Sequence, residues 1–343
     1  MNCCLASFAC IPQLQVEEGE FLVYEHSLSR TPCGGTARSL DDFVGFLADE
    51  LDVHISSDFR YSWLDRADKE VVGPDCPVSD CVLGRHSLGY EPALKHEVVH
   101  LVMNDVAWGQ PFLAEGIAGA YDPLIDGRGG PYPHPTRVGD PRATFAARSS
   151  PEVDYSTAAG FVAFLLTRHG PAKFQDLYFR LRNQREMSAI RRRFSEVYGI
   201  DFDQEVDAYM AGVPCEPDHF VVRAYECEGP VQAWNAGMWA QRRTLDCGDA
   251  DVVGGVGDSK WRSHRAVSVD IPAAGSYQIH FTAELGMELR VGRCFGCVWE
   301  RQDAFLMPGE DQAITLEAGR HFVRVTGDSE QTPSYEVVLL PGG

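Results

Sequence analysis

Two histidines four residues apart, with a glutamate beside the first, stand in an apolar run: His96-Glu97-Val98-Val99-His100. On a helix this spacing sends both imidazoles off one face, which suits two of the four tetrahedral positions around Zn²⁺. Glu97 lies one residue round from His96. Its carboxylate therefore stands beside the open position of such a metal, where it can take a proton from a zinc-bound water. Pro111-Phe112-Leu113-Ala114-Glu115-Gly116 follows shortly after. Glu115 is the natural third protein ligand, completing two histidines, a glutamate and a water, the ligand set of a catalytic zinc site. The cofactor implied is one Zn²⁺ per chain. The plainer alternative is a helix with two unrelated histidines and a solvated glutamate. Against it, Leu94, Val98, Val99, Leu101 and Val102 make the helix apolar on most sides, and imidazoles and a carboxylate there are costly without a partner.

The elements that must position these groups follow from periodicity. Pro92 fits a first turn, and the helix runs to about Ala107, with a second helix from near Pro111 that carries Glu115 early. Upstream, Phe21-Leu22-Val23-Tyr24 reads as a strand. Ser39 reads as the cap of a helix from Leu40 to about Leu51, and residues 59–90 as short strands and disulfide-bearing loops. Residues 122–153, rich in Gly, Pro and Arg, are long for a mere connection and read as a flap over the cleft, with a floppy insertion as the alternative. Helices are expected over 157–169, 171–184, 186–198 and 203–211. Arg191-Arg192-Arg193 reads as a solvated helix face.

With these elements in place, the chain resembles a gluzincin metallopeptidase of the peptidase MA-like group. Phe112-Leu113-Ala114-Glu115-Gly116-Ile117-Ala118 is similar to the stretch that carries the family's third ligand. The run from Tyr155 to Gly170 resembles its Y-x-x-A-x-x-F-V-x-Y-L helix, and Phe194-Ser195-Glu196-Val197-Tyr198-Gly199 its closing helix end. The similarity covers residues 90–210. It implies a zincin-like catalytic unit that hydrolyses peptide bonds, with His96, His100 and Glu115 on zinc and Glu97 as general base. Tyr155, at a helix start, is the candidate that stabilises the oxyanion; Tyr121 and His134 are further candidates. Gly119 stands where some gluzincins place a carboxylate that orients a ligand histidine, which leaves Asp105 and Asp122 as candidates for that task.

Beyond Val213-Pro214-Cys215 the period changes from helical to alternating. Val267/Val269/Ile271, Tyr277/Ile279/Phe281 and His321/Val323/Val325 predict an antiparallel β-sandwich. Ile271–Tyr277 and Leu316–Val323 resemble the pre-peptidase C-terminal type domain, a jelly-roll-like appendage of secreted bacterial peptidases. Asp246, Asp249, Asp251 and Asp258 can be read as a calcium loop or as an acidic loop without an ion. The fold class is therefore α+β: a mainly helical unit with a small N-terminal sheet over 17–213, and an all-β sandwich over 214–343. Residues 1–16 read as a leader remnant or disordered start, with Cys10 a weak lipidation candidate.

Composition bounds the rest. A net charge of −20 and a pI near 4.9 leave no basic stripe for nucleic acid. No run of apolar residues is long enough to span a membrane. Only Lys69, Lys95, Lys173 and Lys260 are lysines among the 30 cationic residues, a skew towards a high-GC bacterial genome. The eleven cysteines point to an exported or cell-envelope protein with disulfides. Cys76/Cys81 and Cys294/Cys297 bracket short turns, whereas Cys33, Cys215, Cys227 and Cys247 suit longer bridges; a second zinc site on Cys294-x-x-Cys297 lacks a matching pair. The expected partner is a peptide or protein substrate, with attachment to a cell surface or lipid anchor left open. The competing function is a catalytically inactive secreted binding or adhesion protein on the same scaffold.

Overall fold

The change of period from helical to alternating is realised in the computed structural model of the chain. It describes residues 12–342 except 56–58, 77–79, 123–138, 213–221, 236, 257–261 and 296–301. Residues 123–138 of the expected flap with His134, the boundary near 213–217, Asp258, and Cys3, Cys4, Cys10, Cys215 and Cys297 lie outside the described residues, as does most of the expected leader.

The first region opens with β1 (Leu14–Glu18), β2 (Leu22–Ser27), the short β3 (Thr31–Pro32) and α1 (Thr36–Leu51). Next come β4 (Phe59–Trp63), α2 (Arg66–Val72), β5 (Cys81–Leu83) and β6 (His86–Gly89). β2, β4 and β6 run parallel at the centre of a five-stranded sheet ordered β1-β2-β4-β6-β5, and the edge strands β1 and β5 are antiparallel to their neighbours. Six helices follow: α3 (Lys95–Val106), α4 (Pro111–Tyr121), α5 (Tyr155–His169), α6 (Pro171–Leu181), α7 (Met187–Tyr198) and α8 (Phe202–Ala211). The described residues thus contain eight α-helices and several sheets, a mixed α and β chain.

Three helix expectations need correction. α1 starts at Thr36 behind Gly35 rather than behind Ser39, and the Thr36 hydroxyl donates to Gly254 O at 2.6 Å, so a residue 218 positions away sets its start. α2 falls where loop is expected; Asp65 accepts a hydrogen bond from Asp68 N–H and caps it. α3 starts at Lys95, which puts Pro92 before the helix rather than in its first turn.

Among the described residues of the second region the regular elements are strands and one short 3-10 turn, Tyr225–Cys227. β7 (Val231–Gln232), β8 (Trp239–Thr244), β9 (Gly255–Val256), β10 (Arg262–Ile271) and β11 (Gly275–Ala283) precede β12 (Glu288–Arg293) and β13 (Gln302–Leu306). β14 (Glu310–Leu316), β15 (Gly319–Asp328) and β16 (Ser334–Pro341) complete it. A five-stranded sheet, β13-β12-β15-β10-β7, and a four-stranded one, β14-β11-β16-β8, supply the inward residues of one core. The alternating positions read from the sequence, Val269, Ile279, Phe281 and Val323 among them, are buried.

The two regions have separate main cores. One contains Leu22, Phe43, Tyr61, Val98, Leu113, Phe161 and Tyr209, the other Trp239, Val269, Phe281, Leu289 and Val337. They are joined by the antiparallel pair β3–β9 and by the Cys33–Cys247 disulfide, 214 residues apart in sequence. Cys76–Cys81 closes a short turn as expected. Cys294 instead pairs with Cys227, which corrects the expected Cys294/Cys297 turn and removes Cys294 from any zinc pair. These disulfides fit an extracellular or otherwise oxidising setting. No helix among the described residues is long and apolar enough to cross a membrane. In the acidic loop, Asp249 and Asp251 both accept from the Arg265 guanidinium, a pairing that suits the reading of this loop without an ion.

Candidate metal centre

α3 packs against α1, α4 and the β5–β6 edge. Its Val98, Val99, Leu101, Val102 and Met103 are buried, which leaves His96 and His100 on the remaining strip. Leu94 gives the helix no side-chain cap, so its first amides are served from elsewhere. Tyr61 Oη accepts from Leu94 N–H at 3.0 Å, and Asp122 Oδ2 accepts from His96 N–H at 3.0 Å. Asp122 is the C-cap residue of α4, so one carboxylate ties the end of the Glu115 helix to the start of the histidine helix. Asp122 thus serves the His96 backbone, while Asp105 is engaged by Arg85.

α4 begins at Pro111, with Gln110 Oε1 accepting from Leu113 N–H at 3.1 Å. Glu115 is followed by Gly116 for a steric reason. A Cβ on Gly116 would stand 2.7 Å from Ala158 O and 2.6 Å from a Val162 methyl of α5. The glycine lets α4 lie close on α5 and brings Glu115 beside Tyr155. Asp154 caps α5, accepting from Thr157 N–H at 3.2 Å, and so places Tyr155 in its first turn.

The result is a compact convergence. His96 Nε2 lies 3.1 Å and His100 Nε2 3.5 Å from the same oxygen, Glu115 Oε2. The two imidazoles stand edge-on, 4.9 Å between centroids. One ligand atom from each of the three residues lies within 4.8 Å of the others, a group that can hold a metal ion. The donor set fits one: two neutral-capable imidazoles and one carboxylate, all largely buried and aimed at a common point. The other carboxylate oxygen, Glu115 Oε1, accepts a hydrogen bond from Ser150 Oγ. Sequence reasoning missed Ser150, which opens the 3-10 turn Ser150–Glu152, because no motif links such a turn to a ligand 35 residues earlier. Tyr155 lies over His96 with ring centroids 6.2 Å apart. Tyr121 packs edge-on against Phe46 in the core instead.

The electrostatics follow the geometry. Burial pushes the Glu97 carboxyl above its ordinary value, against the pull of His100 and His96. Burial works against charge on His100 too, yet the hydrogen bond and charge of Glu115 outweigh it and hold His100 up. Burial likewise disfavours the Glu115 anion, but the two imidazoles overcome this and hold its carboxyl well below the usual range. Tyr155 is raised, first by burial and then by Glu115, so its phenol stays protonated as a donor.

A second grouping has the residue types of a hydrolytic triad. Ser62 Oγ lies 2.6 Å from His86 Nε2 and donates to Glu25 Oε2 at 2.7 Å. Ser62 is fully buried within the sheet, and the carboxylate serves the serine rather than orienting the imidazole. It ties β2, β4 and β6 together rather than forming a triad.

No protein-family profile matches the chain, and no curated protein sequence does. Among solved structures, the pre-peptidase C-terminal domain of a collagenase from Bacillus anthracis is similar at 12% identity and a TM-score of 0.23, over 32% of this chain and 93% of that one. Legionella pneumophila aminopeptidase A in complex with aspartic acid is similar at 9% identity and a TM-score of 0.34, over 93% of this chain and 36% of that one. A carbohydrate-binding module of Cellvibrio mixtus lichenase 5A, in complex with cellotriose, is similar at 14% identity and a TM-score of 0.17, over 36% of this chain and 97% of that one. Likenesses of this size carry no argument about activity. The chain spans about a third of the aminopeptidase's length.

Proposed function

We propose that this chain is a secreted zinc metallopeptidase of gluzincin type, with a peptidase unit over 17–213 and an accessory β-sandwich over 214–343. The observation that carries the reading is the convergence of His96, His100 and Glu115, with Glu97 on the same helix and Tyr155 over His96. His96 Nε2, His100 Nε2 and a Glu115 oxygen would hold the zinc ion. When bound there, zinc supplies a Lewis acid that acidifies water and polarises a carbonyl oxygen.

The chain's own residues do the rest. Glu97 receives the proton of the attacking water on its carboxylate and returns it to the leaving amine, and burial makes it a stronger base than a solvated glutamate. Tyr155 donates its phenolic hydrogen bond to the oxyanion that develops on the substrate carbonyl. Ser150 occupies Glu115 Oε1 and so keeps Oε2 turned towards the histidines. The apolar packing of α3 and α4 keeps these groups out of bulk water, which strengthens each interaction among them.

The deciding experiment is elemental analysis of purified wild type and Glu115→Ala, beside cleavage of casein with and without chelator. One zinc per wild-type chain, absent from the variant, with chelator-sensitive cleavage supports the reading. A wild type that takes up no metal on reconstitution sinks it.

A further inference from the structure

The residue before the first histidine of the motif points away from the metal centre and into the β-sandwich. Lys95 is the first residue of α3, and its Nζ lies 2.7 Å from Glu226 Oε1, with both side chains nine-tenths or more buried. The ammonium is boxed by the Tyr225 ring at 4.7 Å and the Phe43 ring of α1 at 5.7 Å. Glu226 sits in the 3-10 turn Tyr225–Cys227, which is bolted to the sandwich three times. Cys227 is disulfide-bonded to Cys294, Ala224 N–H donates to Cys294 O at 2.9 Å, and Ser268 Oγ of β10 donates to Cys227 O at 3.0 Å. Arg324 of β15 stands 4.0 Å from the same Glu226 oxygen.

We propose that the β-sandwich is a working part of the metal site, with Glu226 a positioning residue that sets the first turn of α3 and, through Lys95, the placement of His96. This rests on the metal reading above. The helix has no side-chain cap of its own, so its start is set by groups from three other places: Tyr61, Asp122 and Glu226. The Tyr225 ring packs edge-on against Phe43 and Phe46 of α1, and its hydroxyl donates to Ser39 O at 2.9 Å, so the turn that carries Glu226 is seated on α1. A cavity of about 770 Å³ opens beside the tie, lined by Lys95, Tyr225, Glu226 and His264 among others. Beside that opening, the Glu226 carboxylate and the Tyr225 ring together hold the first residue of α3 against the turn. A buried ion pair is a poor source of stability compared with apolar packing, and its attested value is in fixing register.

The test is titration of the metal-free full chain with Co²⁺, reading affinity and visible spectrum beside the melting temperature. The proteins are wild type, Glu226→Gln, the double variant Lys95→Met/Glu226→Leu, and Val337→Ala. The double variant leaves no buried charge unpaired within the pair and so keeps the test open if Glu226→Gln unfolds. Val337→Ala cuts the sandwich core away from the tie. The expected result is Co²⁺ binding weakened about 10-fold with an altered spectrum in the tie variants, the range for groups that orient ligands. Val337→Ala should melt lower and bind as wild type does. Wild-type affinity and spectrum in both tie variants overturn the proposal, as does equal weakening in Val337→Ala. A folded wild type that binds no Co²⁺ overturns the metal reading itself, and this inference with it.

Discussion

Two buried polar clusters sit on either side of the first turn of α3, and they solve the same problem in opposite ways. His96, His100 and Glu115 turn lone pairs towards one point, with one carboxylate shared by two imidazoles. Lys95, Glu226 and Arg324 bring two cations to one carboxylate. The first cluster could hold a cation, whereas the second contains its own. Burying polar groups is costly in both places, and the difference lies in whether the chain or a ligand supplies the positive charge. The contrast shows why burial alone does not identify a metal site: the chemistry of the donors does.

The largest expected effect separates chemistry from metal binding within the first cluster. Glu97→Gln should retain one metal per chain and lower kcat by about 10²- to 10⁴-fold, the usual worth of a general base. Unchanged kcat would falsify the role assigned to Glu97.

Next in size is the second cluster's response to acid. Burial alone would raise the Glu226 carboxyl, but Lys95 and Arg324 overcome it and hold it at about 2, below its ordinary 4.5. A carboxyl lowered on folding contributes its stability fully above the unfolded value and loses it as the pH falls through the folded one. Urea unfolding should therefore show wild type ahead of Glu226→Gln by about 3 kcal/mol at neutral pH, with the gap closing between pH 4.5 and 2. A gap that does not change with pH means the pair is not charged in the fold.

Gly116→Ala tests the approach of α4 to α5 that builds the first cluster. Its new Cβ would meet Ala158 O and a Val162 methyl. A stability loss of about 1–3 kcal/mol is expected by thermal or urea unfolding, with weaker metal binding, because Glu115 must shift with the helix. Ser150→Ala is gentler. It frees one Glu115 oxygen, and metal affinity should fall about 10-fold by competition with a chelating dye while the melting temperature barely moves. The smallest effect concerns calcium, which should leave the melting temperature where it is, because Arg265 already holds Asp249 and Asp251. A clear upward shift with Ca²⁺ would mean that the acidic loop carries a site after all.

Much of the candidate site was legible in one dimension because its chemistry repeats with the helix. The i, i+4 spacing of His96 and His100 and the early place of Glu115 on α4 are local facts. The strands of the second region were legible for the same kind of reason, since alternation over Val267–Ile271 and Tyr277–Phe281 needs only a strand. What stayed hidden was set by distant partners. α1 starts where Thr36 meets Gly254, Ser150 reaches Glu115 from 35 residues away, and Cys294 chooses Cys227 over a nearer cysteine.

The sequence by itself determined which groups can bind a cation and which faces are apolar, because side-chain chemistry and backbone period are properties of neighbours in the chain. Only the tertiary structure decided that Asp122 and Tyr61 serve the start of α3, that Arg265 pairs with Asp249 and Asp251, and that Lys95 is held by Glu226. Those pairings depend on closing loops of 14 to 131 residues. Such closures are stabilised by the cores as a whole, and no local pattern records them.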